Sequence, residues 1–82
     1  MSENEFEIVE VITEITDGEG NVIIDDLVTV VDSDGNVVAS DETIIMQDAE
    51  GDIVIDEIVS VIGENGELEV VAEEIVVGLN EG

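Results

Sequence analysis

Acidic side chains are the residues of this sequence that could do chemistry. Aspartate and glutamate supply 24 of the 82 residues, and no Lys, Arg, His or Cys accompanies them. Carboxylates without basic neighbours can hold hard cations such as Mg²⁺ or Ca²⁺ through oxygen, loosely and with affinities on the order of millimolar. No cofactor is required by the sequence, and the candidates for such weak binding are three close pairs: Asp25 with Asp26, Asp32 with Asp34, and Asp56 with Glu57.

A dedicated calcium loop is not predicted. The stretch that begins at Asp32 and Asp34 would need glycine at its sixth position and glutamate at its twelfth to match an EF-hand. Those two positions hold Val37 and Thr43. The sequence therefore favours a simple turn at Asp34-Gly35.

Enzyme activity is not expected from this composition. Nucleophilic catalysis lacks its usual His and Lys bases. Two carboxylates can perform acid–base catalysis only in a shaped pocket that drives their pKa values apart, usually beside aromatic side chains. The one aromatic residue, Phe6, is expected to pack in the core together with Met46.

Seven residue types are missing from the chain altogether: Cys, His, Lys, Pro, Arg, Trp and Tyr. This absence indicates a designed or reduced-alphabet protein. Because 44% of the residues are apolar, a folded domain is expected over residues 1–82, with frayed ends at 1–4 and 79–82. The net charge of −24 favours a monomer that attracts polycations nonspecifically. The start MSENEFE resembles no signal peptide and no apolar run could span a membrane, so a recombinant cytoplasmic product is expected.

The elements that must position the acids are β-strands separated by glycine turns. Gly20, Gly35, Gly51 and Gly66 each follow an acid or Asn, which predicts three-residue hairpin loops closed by a left-handed glycine. The Val/Ile-rich segments between them predict five strands, at residues 6–16, 22–31, 37–40 with a longer extent left open, 53–62 and 68–77. The apolar alternation changes phase near most acids, so we expect bulges at Glu10, Asp25–Asp26, Asp56–Glu57 and the AEE stretch before Ile75.

Two alternatives stay open at this level. The segment 40–52 predicts either a short helical turn, with Ser40 as its N-cap, or a continued strand. The spacing of the glycines, 15 or 16 residues, also fits a parallel β-solenoid. An echo between the segments that begin at Val22 and Ile53 fits either a true repeat or two strands in equivalent environments, of which the second is favoured.

The order of strands and turns resembles an OB-fold, a small five-stranded Greek-key β-barrel. LVTVVDSDGNVVAS is similar to the second and third strands of OB domains in bacterial replicative polymerases and aminoacyl-tRNA synthetases. AEGDIVIDEIVSVIGENGELEVVAEEIVV is similar to their fourth and fifth strands. The resemblance implies that oligonucleotide would contact the loops after strands 1 and 4, which here contain Asp17, Gly18, Glu19 and Gly20, and Gly63, Glu64, Asn65 and Gly66.

The charge of the chain opposes the usual use of such a barrel. Binding of single strands needs a positive groove and aromatic platforms, and this chain has no cation and one aromatic residue. RNA or single-stranded DNA is therefore expected only through bridging divalent cations. Three functions remain as hypotheses: an engineered scaffold without a dedicated site, a nucleic-acid module that acts through such cations, and an acidic mimic of nucleic acid that binds basic proteins.

Overall fold

Five β-strands form the whole of the regular structure in the computed structural model, which describes residues 5–80. Their bounds are β1 Glu7–Thr16, β2 Val22–Val31, β3 Val37–Gln47, β4 Ile53–Ile62 and β5 Leu68–Gly78. The predicted all-β class and the five strands are confirmed. Of the ends predicted to fray, 1–4 and 79–82, residues 1–4 and 81–82 lie outside the described residues.

The strands form one antiparallel sheet in the order β1-β2-β3-β4-β5. Strand number and direction fit the small β-barrel class, although no hydrogen bonds between strands close the sheet within residues 5–80. Each strand pairs with its neighbours in the chain, so the connections are four hairpins. The parallel solenoid is wrong, because every pairing is antiparallel.

Strand β3 is longer than the shortest prediction, and the helical alternative for the segment after Ser40 is wrong. Residues through Gln47 are strand, and Thr43 pairs with both Asp26 of β2 and Glu57 of β4. A β-branched run such as Thr43, Ile44 and Ile45 packs well on a pleated surface, and two flanking strands satisfy its backbone groups. The apolar pattern of this segment is too short to define a period, so pairing with the two neighbouring strands decides its conformation.

Glycine turns reverse the chain as predicted. Gly35 has φ of 86° and donates its N–H to the carbonyl of Asp32 at 3.0 Å, while the Asp32 N–H donates to the carbonyl of Asn36 at 2.9 Å. The turns that contain Gly51 and Gly66 repeat this pattern. Since L side chains rarely adopt such φ values, glycine is required where the strands turn back.

The bulges lie at positions other than the acids. The register between β1 and β2 is continuous through Glu10, and the ladders beside Asp25–Asp26 and Asp56–Glu57 are regular. The register shifts instead at Val30/Val31, where Val38 is extra, and at Val59/Ser60, where Val71 is extra, next to the AEE stretch. The bulges predicted at Glu10, Asp25–Asp26 and Asp56–Glu57 are therefore wrong. Both faces of the sheet carry acids and apolar residues together, so a change in the phase of the apolar alternation needs no bulge.

No residue between positions 5 and 80 is buried, so the expected core positions of Phe6 and Met46 are wrong: their side chains are 61% and 39% exposed. Most residues of β2, β3 and β4 are half-buried, whereas β1 is exposed along its whole length and β5 along all but its last residue. Side chains of a single sheet layer are sheltered only by neighbours on the same face. The most sheltered part of the molecule is therefore the middle of the sheet.

Candidate functional site

Carboxylates cross the sheet in two rows, one on each face. Directly paired residues of neighbouring strands lie on the same face, and successive residues of a strand alternate between faces. The observed register therefore assigns nine strand acids to two groups. Row A consists of Glu10, Asp26, Asp41, Glu57 and Glu74, and row B, on the opposite face, consists of Asp25, Glu42, Asp56 and Glu73.

The rows are built from diagonal Asp–Glu pairs, one at each boundary between strands. Glu42, for example, pairs directly with Leu27, so Asp25 lies on the adjacent diagonal of the same face. Long side chains reach across such a diagonal. The same offset recurs four times and alternates between the faces: Glu10 with Asp26, Glu42 with Asp25, Glu57 with Asp41, and Glu73 with Asp56.

The aspartates of these pairs each have one carboxylate oxygen shielded from solvent and without a hydrogen-bond partner: the Oδ1 atoms of Asp25, Asp26, Asp41 and Asp56. An unpaired and shielded carboxylate oxygen is unfavourable, because it has lost water without gaining a donor. The chain has no Lys, Arg or His that could supply one. A bound cation or a shared proton would satisfy these atoms.

This crowding raises the pKa values of the four glutamates in the diagonal pairs. Contact with the Asp25 carboxyl is the largest cause of a raised pKa at Glu42, followed by burial and by the charges of Asp25 and Asp56. The pKa values of Glu10, Glu57 and Glu73 are raised in the same way by Asp26, Asp41 and Asp56 respectively. Each raised pKa means that the neighbouring carboxyl favours the protonated form of the glutamate.

The carboxylates that the sequence analysis paired within β2 and within β4 do not lie together. Asp25 and Asp26 are adjacent and therefore project from opposite faces, as do Asp56 and Glu57. Each of the four instead has a carboxylate neighbour on the next strand. On row B, Glu42 lies between Asp25 and Asp56 and feels the charge of both.

Asp32 and Asp34 lie in the turn between β2 and β3. The Asp32 Oδ1 accepts hydrogen bonds from the Asp34 and Asn36 N–H groups, both at 2.9 Å. This carboxylate holds the turn in shape, which is the role that the turn interpretation of the sequence implies.

A third group of acids, which the sequence analysis did not single out, occupies the turn between β3 and β4. One carboxylate oxygen from each of Asp48, Glu50 and Asp52 lies within 4.8 Å of the other two. The Asp48 Oδ1 also accepts from the Glu50 and Asp52 N–H groups, at 2.9 and 3.0 Å. The alternating acids of QDAEGD, residues 47–52, are the sequence feature that could have indicated this group.

The turn between β3 and β4 also contacts the segments on either side of it at the same end of the sheet. The Asn21 Oδ1 accepts from the Ala49 N–H at 3.0 Å, and the Asp52 Oδ1 accepts from the Asn80 N–H at 2.8 Å. Asn21 and Asp52 hold equivalent places 31 residues apart, each bonding a residue 28 positions further on. The echo between Val22 and Ile53 has the same 31-residue offset and relates β2 to β4, which run in the same direction.

The loops that the OB resemblance assigns to nucleic acid lie far apart. Residues 17–20 belong to the turn between β1 and β2, and residues 63–66 belong to the turn between β4 and β5. In an antiparallel meander these two turns stand at opposite ends of the sheet. The observed strand order therefore does not gather Asp17, Gly18, Glu19 and Gly20 with Gly63, Glu64, Asn65 and Gly66.

Comparison of the chain with protein-family models, with curated proteins and with solved structures found no match. Residues 5–80 contain no helix with the length and apolar character needed to cross a membrane. The two carboxylate rows and the sheet that carries them are therefore the features from which a function can be inferred.

Proposed function

We propose that this chain is an engineered, non-catalytic β-sheet scaffold whose carboxylate rows take up divalent cations weakly. The observation that supports the proposal most directly is the set of shielded and unpartnered Oδ1 atoms of Asp25, Asp26, Asp41 and Asp56. Mg²⁺ and Ca²⁺ bind carboxylate oxygens and need no basic residue. A cation between the carboxyls of a diagonal pair would coordinate the unpartnered oxygen and relieve the repulsion between the two charges.

Thermal unfolding at constant ionic strength tests this function. Replacing part of the NaCl with CaCl₂ or MgCl₂ should raise Tm, because an ion that binds only the folded state stabilises it by mass action. EDTA should restore the original Tm. A Tm that depends on ionic strength alone, with no difference between Na⁺ and Ca²⁺, would reduce the effect to screening and refute cation uptake.

A matched pair of variants locates the ions. Asp25→Asn with Asp56→Asn removes two carboxylates from row B, and Asp32→Asn with Asp34→Asn removes two from a turn. The Ca²⁺-dependent rise in Tm should be smaller in the first double variant, because only row A stays intact, and should be unchanged in the second. The opposite result would transfer cation binding to the turn.

The kinship with OB domains and the deliberate restriction of the alphabet belong to this proposal. Five antiparallel strands joined by glycine turns support the likeness to a small barrel. An OB-like closure would require hydrogen bonds from β1 to a strand other than β2, so amide NOEs from β1 to β4 or β5 would support the kinship. NOEs confined to neighbouring strands would leave a plain meander.

A second candidate function is binding of basic proteins, favoured by 24 acids without a single Lys, Arg or His. Such a field attracts polycations over long range and weakens with added salt. The nucleic-acid module makes a different prediction: RNA or single-stranded DNA should bind in Mg²⁺ and dissociate in EDTA. Anisotropy titrations with a labelled oligonucleotide and with a basic protein separate the two.

A further inference from the structure

β5 is an edge strand of the sheet, and both carboxylate rows end on it. β5 pairs with β4, and no described strand lies on its other side. Glu74 ends row A and Glu73 ends row B, so adjacent residues at the centre of an 11-residue strand present carboxylates to opposite faces. The apolar residues on either side of them are also exposed, by 63% at Val70 and 60% at Ile75.

The β1 edge differs in this respect. Row A ends there at Glu10, but row B stops one strand earlier at Asp25, which pairs with Thr13 of β1. A strand added beside β1 would meet carboxylates on one face at the centre of the sheet. A strand added beside β5 would meet them on both faces.

We propose that the β5 edge binds an extended segment of a basic protein, one with two adjacent Lys or Arg residues flanked by β-branched residues. This inference rests on the second proposed function and names its site. An added strand satisfies the unpaired backbone groups of the edge, and its side chains alternate between the faces. Two neighbouring basic residues therefore reach Glu73 on one face and Glu74 on the other.

Each basic side chain would meet a second carboxyl behind the first. Asp56 lies diagonal to Glu73 and raises its pKa through carboxyl contact. Glu57 pairs directly with Glu74 across β4 and β5. A cation at either place relieves repulsion that the isolated sheet must tolerate.

A second copy of the chain fits this edge poorly. In a two-fold antiparallel pair of β5 strands with full overlap, paired residues share a face, so Glu73 would oppose Glu73 or Glu74 would oppose Glu74. Like charges directly opposite each other destabilise a strand pair. Charge complementarity thus selects a basic segment.

The test uses two labelled peptides of identical composition, VTVRRVTV and RVTVVTVR, which differ only in where the arginines stand. Fluorescence anisotropy at low salt should show tighter binding of the peptide with central arginines. Glu73→Gln with Glu74→Gln should weaken that peptide about tenfold, a loss of two opposite-charge contacts. The matched variant Glu7→Gln with Glu14→Gln, at two exposed β1 positions that belong to neither row, carries the same net charge and should change that affinity less than about twofold.

Amide chemical-shift mapping separates the outcomes. Perturbations along β5 with the expected order of affinities support the edge site. Equal binding of both peptides, with perturbations spread over the turns, would overturn the edge site and keep the general attraction to basic proteins. Failure of both peptides to bind the unmodified chain would overturn the edge site and the second proposed function together.

Discussion

Neutralising Glu42 should stabilise the sheet by relieving repulsion within row B. Glu42 is half-buried, and it lies diagonal to Asp25 on β2 and to Asp56 on β4. A cross-strand pair of like charges costs about 0.5 kcal/mol when solvent screens it. Two such contacts give about 1 kcal/mol for Glu42→Gln, which corresponds to a rise in Tm of about 4–8 °C for a domain of this size.

The sign of the pH dependence follows from the direction of the shift. The pKa of Glu42 is raised above its ordinary value of 4.5, so the folded state holds this proton more tightly than the unfolded chain does. The favourable contribution of the protonated form is complete below the ordinary value and is lost as the pH rises through the folded value. Glu42→Gln should therefore show its full gain at neutral pH and a gain near zero below the ordinary value.

Differential scanning calorimetry of Glu42→Gln across this range measures the effect, with Glu64→Gln as the matched control. Glu64 lies exposed in the turn between β4 and β5 and belongs to neither row, and both substitutions leave the same net charge. A gain for Glu42→Gln no larger than that for Glu64→Gln would show that only total charge matters. A gain that persisted unchanged in acid would contradict the assigned ionisation.

Three further outcomes are expected. Because self-repulsion of a chain with net charge −24 is screened by salt, Tm should be higher in about 1 M NaCl than in about 10 mM, and coinciding transitions would contradict this. Gly35→Ala should destabilise the fold by about 1–2 kcal/mol in urea denaturation, since φ is 86° there, whereas Ser33→Ala in the same turn should have little effect. The Asp17 carboxyl should titrate below its ordinary 3.8 in NMR, because the Asn21 side chain and the Glu19 N–H donate to it. Stability from this group is then present above 3.8 and lost as the pH falls through the folded value, and Asn21→Ala should move the midpoint back upward.

The strands and their turns follow from local residue chemistry. Gly20, Gly35, Gly51 and Gly66 follow polar residues between Val/Ile-rich runs, and that local chemistry was sufficient to predict five strands and hairpin reversals. The sequence also sets the net charge and the absence of Lys, Arg and His. These properties depend on residues close together in the chain, so they can be inferred without coordinates.

Which acids meet depends on how the strands pair in the sheet. Asp25 and Asp26 are neighbours in sequence and lie on opposite faces, while Asp25 and Glu42 are 17 positions apart and share a diagonal. That contact is fixed by the register between strands, which the turn lengths and the bulge at Val30/Val31 set together. The extended state of Thr43 and Ile44 was decided in the same way, because pairing with strands on both sides outweighs a local preference that was too weak to choose.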